Sequence, residues 1–157
     1  MVKTILITGA TDGIGKHLAK KLASQAHHVI LHGRNPQKLE LALQEVRAVS
    51  LRGRVSSYLA DFSKLDDVYR FVEEIKRDFQ SIDVLFNNAG LYAGKKRKAS
   101  AENVELTFML SVLVPYILTT ELSSLLEKAA DGRVINTSSY MHHFAKVKDL
   151  DFGFEND

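Results

Sequence analysis

Short apolar runs alternate with amphipathic segments along most of the chain. The runs at residues 4–8, 29–31, 55–59, 84–86 and 134–136 are rich in β-branched residues. Runs of that length and composition read as strands buried on both faces of a sheet. Helical spacing fills the intervals. Ile14, Leu18 and Leu22 share one stripe, Leu39, Ala42, Leu43 and Val46 a second, and Leu65, Val68, Val72, Ile75 and Phe79 a third. Asn35-Pro36 offers a cap and a first-turn proline for the second helix, and Ser63 with Asp66 a capping box for the third. A longer pattern through residues 111–119 predicts a fourth helix. Pro115 inside it costs about 3 kcal/mol relative to alanine and predicts a kink. Five strands alternating with four helices define an α/β fold, a doubly wound parallel sheet of Rossmann type. In such sheets ligands bind beyond the carboxyl ends of the strands.

The segment ILITGATDGIGKHL, residues 5–18, lies at one of those ends. Gly9 allows a tight turn out of the strand, Gly13 allows a ligand to approach the backbone, and Gly15 allows close helix–strand packing. Free amides and the helix dipole favour a phosphate, so a dinucleotide pyrophosphate is the natural occupant, with plain turn chemistry as the alternative. A mononucleotide P-loop is excluded by spacing. Ala10 stands where its first glycine is needed and His17 where a hydroxyl has to follow Lys16.

Composition narrows the remaining classes. The 157 residues, 45% hydrophobic and 25% charged, suit one ordinary domain spanning 1–157, and a net charge of +2 argues neither for a nucleic-acid surface nor for an acidic partner, so no nucleic acid is expected. The Lys95-Lys96-Arg97-Lys98 run has no aromatic interleaving and reads as a solvated turn. The absence of cysteine removes disulfides, thiolate metal sites and cysteine nucleophiles. His27-His28 and His142-His143 lack the spacing and carboxylate neighbours of a metal site, so no metal is expected. The stretch 104–126 is interrupted by acids and hydroxyls that a bilayer span would not tolerate. An apolar run starting at residue 4 leaves no space for a charged leader, which predicts a cytoplasmic protein without membrane partners.

Four motifs in order resemble the short-chain dehydrogenase/reductase family. The loop reads Thr8-Gly9-x-x-x-Gly13-Ile14-Gly15, wider than Gly-x-Gly-x-x-Gly and similar to that family's cofactor signature. Asp61-Phe62 follows the third strand, Asn87-Asn88-Ala89-Gly90 closes the fourth, and Thr137-Ser138-Ser139 ends the fifth. The resemblance implies that Thr8, Gly9, Thr11, Asp12, Gly13, Ile14 and Gly15 cradle the pyrophosphate. It further implies that Asp61 and Phe62 meet the adenine, and that Asn88, Ala89 and Gly90 flank the cofactor. Each motif also has a structural reading: Asp61 as a turn acid, Asn87 and Asn88 as caps on buried strand ends.

NAD-binding members place an acid at the end of the second strand, where a carboxylate accepts from both ribose hydroxyls. Here the segment is His32-Gly33-Arg34-Asn35, with no acid. By resemblance Gly33 stands at the acid's position and Arg34, next to Asn35, where a guanidinium meets a 2′-phosphate. NADP is therefore the favoured cofactor and NAD the alternative. Asp12, where some NADP-binding members carry a basic residue, weighs the other way.

The resemblance implies hydride transfer on a carbonyl or alcohol substrate, with Ser139 polarising the reacting oxygen. Ser111 falls where family members usually carry an asparagine of the proton relay. The family's Tyr-x-x-x-Lys should follow Ser139, yet no tyrosine follows Tyr140. The pair Tyr92 and Lys96 precedes Ser139 and is read as a coincidence. The chain is thus expected to be the amino-terminal part of an NADP-dependent reductase, inactive alone. The alternative is a non-catalytic dinucleotide-binding or sensing module. A methyltransferase is disfavoured, because its cofactor's ribose also wants an acid near Gly33. The tail offers only Val147, Leu150, Phe152 and Phe154 as anchors, which leaves the fifth strand an open edge and predicts self-association.

Overall fold

The computed structural model describes residues 1–51, 54–91 and 97–140. Expectations placed on Tyr92 to Lys96, on His142-His143 and on the tail anchors lie outside those residues. The five strands are β1 (Thr4–Ile7), β2 (His28–Gly33), β3 (Val55–Leu59), β4 (Val84–Asn87) and β5 (Arg133–Asn136). They form one parallel sheet in the order β3-β2-β1-β4-β5. The chain runs outward from β1 to β3, then crosses back to place β4 on the other side of β1. The switch point between β1 and β4 opens a crevice at the carboxyl edge, where open α/β sheets bind ligands.

Alternation along the strands sends side chains to two cores. Ile5, Ile7, Val29 and Leu31 meet α1 (Gly13–Ser24) and α2 (Pro36–Val49) on one face. Leu6, Ile30 and Leu85 meet α3 (Leu65–Asp78) and the helices after β4 on the other. Asn35 caps α2 as expected, its Oδ1 accepting from Lys38 N at 2.9 Å, with Pro36 in the first turn.

Three local expectations are corrected. The buried face of α1 is Gly15, Ala19 and Ala23, while Ile14 is 70% exposed. Small residues bring this helix close to the sheet; Leu18 and Leu22 of the expected stripe pack half-buried against the same core, and Ile14 alone is left outside it. The Ser63–Asp66 capping box does not form. Ser63 Oγ donates to Asp61 Oδ1 at 2.8 Å, α3 begins after Lys64, and its Leu65 amide donates to Glu102 Oε1 at 2.7 Å. That bond holds the Glu102 carboxyl below its ordinary pKa. The fourth helix is a series: α4 (Leu106–Phe108), a π-helical turn (Met109–Leu113), α5 (Val114–Glu121) and α6 (Ser123–Glu127). The disturbance expected from Pro115 takes the form of that π turn, in which Val114 N reaches back to Met109 O and Pro115 starts the next α-helix.

Candidate functional site

Backbone and side-chain latches build the crevice. Thr8, 2% exposed at the end of β1, donates its hydroxyl to Phe86 O at 3.3 Å. The same oxygen accepts from Asn88 N and Ala89 N, both at 2.9 Å. Asn88 returns the link: its Nδ2 donates to Thr8 O at 3.0 Å and to Gly9 O at 3.2 Å. Thr8 and Asn88 thus lock the ends of β1 and β4 together beneath the loop.

The glycines fit that lock. Gly9 has φ 65°, and a Cβ there would lie 2.8 Å from Ala89 Cα. A Cβ on Gly15 would collide with Gly9 O and stand 2.6 Å from Asn88 Nδ2. At Gly13, φ is 52° and the Cβ direction is open space, the approach a ligand needs. Asp12 caps α1, its Oδ1 accepting from Gly13 N at 2.8 Å. The first intrahelical bond runs from Lys16 N to Asp12 O, so the Ile14 and Gly15 amides have no intrahelical acceptor and face a positive dipole end.

A cleft of about 860 Å³ extends from this loop, of the size of small-molecule sites. Of the residues singled out in the sequence, Gly9, Thr11, Asp12, Gly13, Ile14, Gly33, Arg34, Asn35, Asp61, Phe62, Asn88, Ala89 and Gly90 line it. Thr8 and Gly15 stand behind the wall as packing. Asp61 Oδ1 also accepts from Ser63 N at 3.1 Å, so the turn-acid reading describes part of its role. Lys38 lies on the same rim as Arg34, with Nζ 3.9 Å from Asp12 Oδ2. A Cβ on Gly33 would overlap the Thr11 methyl, so the missing acid is matched by a side chain filling its space.

A second cleft of about 390 Å³ adjoins the first and shares Asn88, Ala89, Gly90 and Thr137 with it. It brings together Ser111 from the π turn and Ser139 from beyond β5. Asn87, 5% exposed, sits at its base and donates Nδ2 to Asn136 Oδ1 at 2.8 Å. Among the described residues no tyrosine or lysine lines this cleft.

Sequence reasoning passed over His32, which is 3% exposed and lines the first cleft. Burial pulls its pKa down to about 4. The available signal was a lone polar residue at the end of an apolar strand run, which has to find partners if the strand is buried.

A family model described as short chain dehydrogenase matches residues 3–147. The chain belongs to the short-chain dehydrogenase family. It is 32% identical to mouse retinol dehydrogenase 13 over 140 residues, covering 89% of this chain and 42% of that protein. With a WW domain-containing oxidoreductase of Drosophila melanogaster it shares 36% identity over 147 residues, or 92% of this chain and 35% of the other. Among solved structures, an NADH-dependent reductase A1-R′ complexed with NAD superposes with a TM-score of 0.76 at 29% identity, covering 92% of this chain and 63% of that one. A metagenomic short-chain oxidoreductase in complex with NADP gives 0.76 at 29% identity, covering 88% and 63%. This short-chain dehydrogenase chain therefore spans less than half the length of these two relatives. Among its described residues, no helix is long and apolar enough to cross a membrane.

Proposed function

We propose that the chain is the cofactor-binding part of an NADP-dependent oxidoreductase acting on a carbonyl or alcohol, and that alone it binds dinucleotide without turning substrate over. One observation carries the reading: the glycine-loop cleft shares a wall, Asn88, Ala89, Gly90 and Thr137, with the cleft of Ser111 and Ser139. The residues present fit a dinucleotide. The α1 amides and Gly13 would receive the pyrophosphate, and the wall by Asp61 and Phe62 the adenine. Arg34 and Lys38 at the Gly33 rim would receive a 2′-phosphate. The nicotinamide, when bound, would give or take the hydride. The Ser139 hydroxyl would hold the substrate oxygen by donating to it, and Ser111 would stand in the same cleft as a second hydroxyl. A proton source matched to that oxygen is needed for turnover.

The cytoplasm remains the proposed location. Copies are further proposed to associate through β5, the outer strand of the described sheet, where Ile135 is 39% exposed. Sedimentation at several concentrations reads this, and a monomer throughout would remove it. The catalytic proposal is tested by NADPH oxidation against a panel of carbonyls. No turnover is expected from a chain that binds NADPH. Robust oxidation lost on Tyr92→Phe would replace this reading with one in which that tyrosine supplies the proton.

A further inference from the structure

His32 ties three walls of the first cleft together. Its Nδ1 lies 3.2 Å from Gly9 N, at the turn that leaves β1. Its Nε2 lies 3.0 Å from Ala60 O, one residue before Asp61. Its face stacks on Phe62 with ring centroids 3.8 Å apart and planes 9° from parallel, and Phe71 of α3 meets it edge-on at 5.2 Å. An amide only donates and a carbonyl only accepts. Both bonds therefore form together only when the ring is neutral and carries its proton on Nε2. Burial favours the same neutral form, outweighing the nearby Asp61 carboxylate.

Gly9 is consequently held from both sides, its carbonyl by Asn88 of the β4 end and its amide by His32. The His32 main chain adds a third tie by accepting from Ala10 N at 2.8 Å. We infer that His32 is a positioning residue for dinucleotide binding, its ring fixing the Gly9 turn and the Phe62 wall in the geometry that receives the cofactor. The inference rests on the dinucleotide reading of the first cleft. Without the ring acceptor the Gly9 amide seeks another partner, and the competent loop is less populated, which lowers apparent affinity by the fraction lost.

Calorimetric titration of the whole chain with NADP⁺ and NAD⁺ separates the possibilities across three variants. His32→Asn keeps an acceptor where Nδ1 stood, whereas His32→Gln keeps only a donor toward Ala60, and His32→Leu keeps neither. The Asn variant is expected to bind within about threefold of the parent. The Gln and Leu variants should weaken by about tenfold, by the same factor for both dinucleotides, because the turn and not the 2′-phosphate contact is disturbed. Nitrogen NMR of the parent should show a neutral ring protonated at Nε2 at neutral pH. If the Leu variant fails to fold, the Asn and Gln pair decides alone. Equal affinities of those two, or a ring protonated at Nδ1, would overturn the inference, as would lower melting temperatures with unchanged affinities. A parent chain that binds neither dinucleotide overturns the dinucleotide reading and this inference with it. A parent that binds well while the variants show no split overturns only the role of His32.

Discussion

Replacing Thr8 by valine removes one hydroxyl from the joint between β1 and β4 while keeping the side chain's shape. In the folded chain that oxygen accepts from the Asn88 and Ala89 amides at 2.9 Å each, in a residue 2% exposed. Phe86 O loses little, because it still accepts from Thr8 N at 3.0 Å. The two amides lose their acceptor, and Asn88 and Ala89 are half-buried on the cleft wall, so water restores only part of the loss. An unsatisfied buried donor costs roughly 1–3 kcal/mol, and two half-buried ones fall in the lower part of that range each, so Thr8→Val should destabilise by about 2–4 kcal/mol. Domains of this size hold only about 5–15 kcal/mol in total, so the loss is large. Urea denaturation should show the full difference at an unchanged m-value, and the melting temperature should fall by roughly 5–15 °C. Thr8→Ser retains the hydroxyl and should cost only about 1 kcal/mol for the lost methyl. A valine variant within about 0.5 kcal/mol of the parent, a shift ordinary surface substitutions produce, would refute the reasoning. So would a serine variant as damaged as the valine one.

Two further outcomes follow from the same geometry. His32 has a folded pKa of about 4 against an ordinary 6.5, so the unfolded chain binds more protons between those values. Its contribution is fully present above pH 6.5 and is lost as pH falls toward 4, by about 3 kcal/mol in all. Denaturation curves across that window should show the slope, and His32→Asn should flatten it. Gly15→Ala drives a methyl into Gly9 O and Asn88 Nδ2, and should cost more than 2 kcal/mol by the usual scale of overpacking and abolish dinucleotide binding. Gly13→Ala meets open space and should cost only about 1 kcal/mol for its left-handed backbone. Thermal melts of the pair check the order, and equal losses would contradict it.

The strands and the glycine loop were legible because both are local signals. A β-branched run predicts a buried parallel strand wherever it pairs, and the loop's spacing needs no partner to be read. What failed were readings that a distant segment overrides. Ser63 looked like a cap, but Asp61 takes its hydroxyl and Glu102, 37 residues on, supplies the acceptor to Leu65. Ile14 looked like core, but the closeness of α1 to the sheet needs Gly15, Ala19 and Ala23 on the contact line. The roles of Thr8 and His32 depend on which strand ends the topology brings together, a long-range fact that no window of residues contains. The absence of an acid at Gly33 was legible. Its packing was not, because Thr11 fills that space from another loop. An acid installed there therefore needs Thr11→Ser beside it.

The central claim is that the first cleft takes NADP(H) in preference to NAD(H). Calorimetric titration of the unmodified chain with NADP⁺ and NAD⁺ at one ionic strength, repeated on Arg34→Ala, tests it most directly. A charge-assisted hydrogen bond contributes about 1.5–3 kcal/mol, so NADP⁺ should bind roughly ten- to a hundredfold tighter to the parent. That gap should narrow in Arg34→Ala with NAD⁺ affinity unchanged, Lys38 remaining on the rim to hold part of it. Equal affinities, an NAD⁺ preference in the parent, or a gap undiminished by the loss of Arg34 would contradict the account.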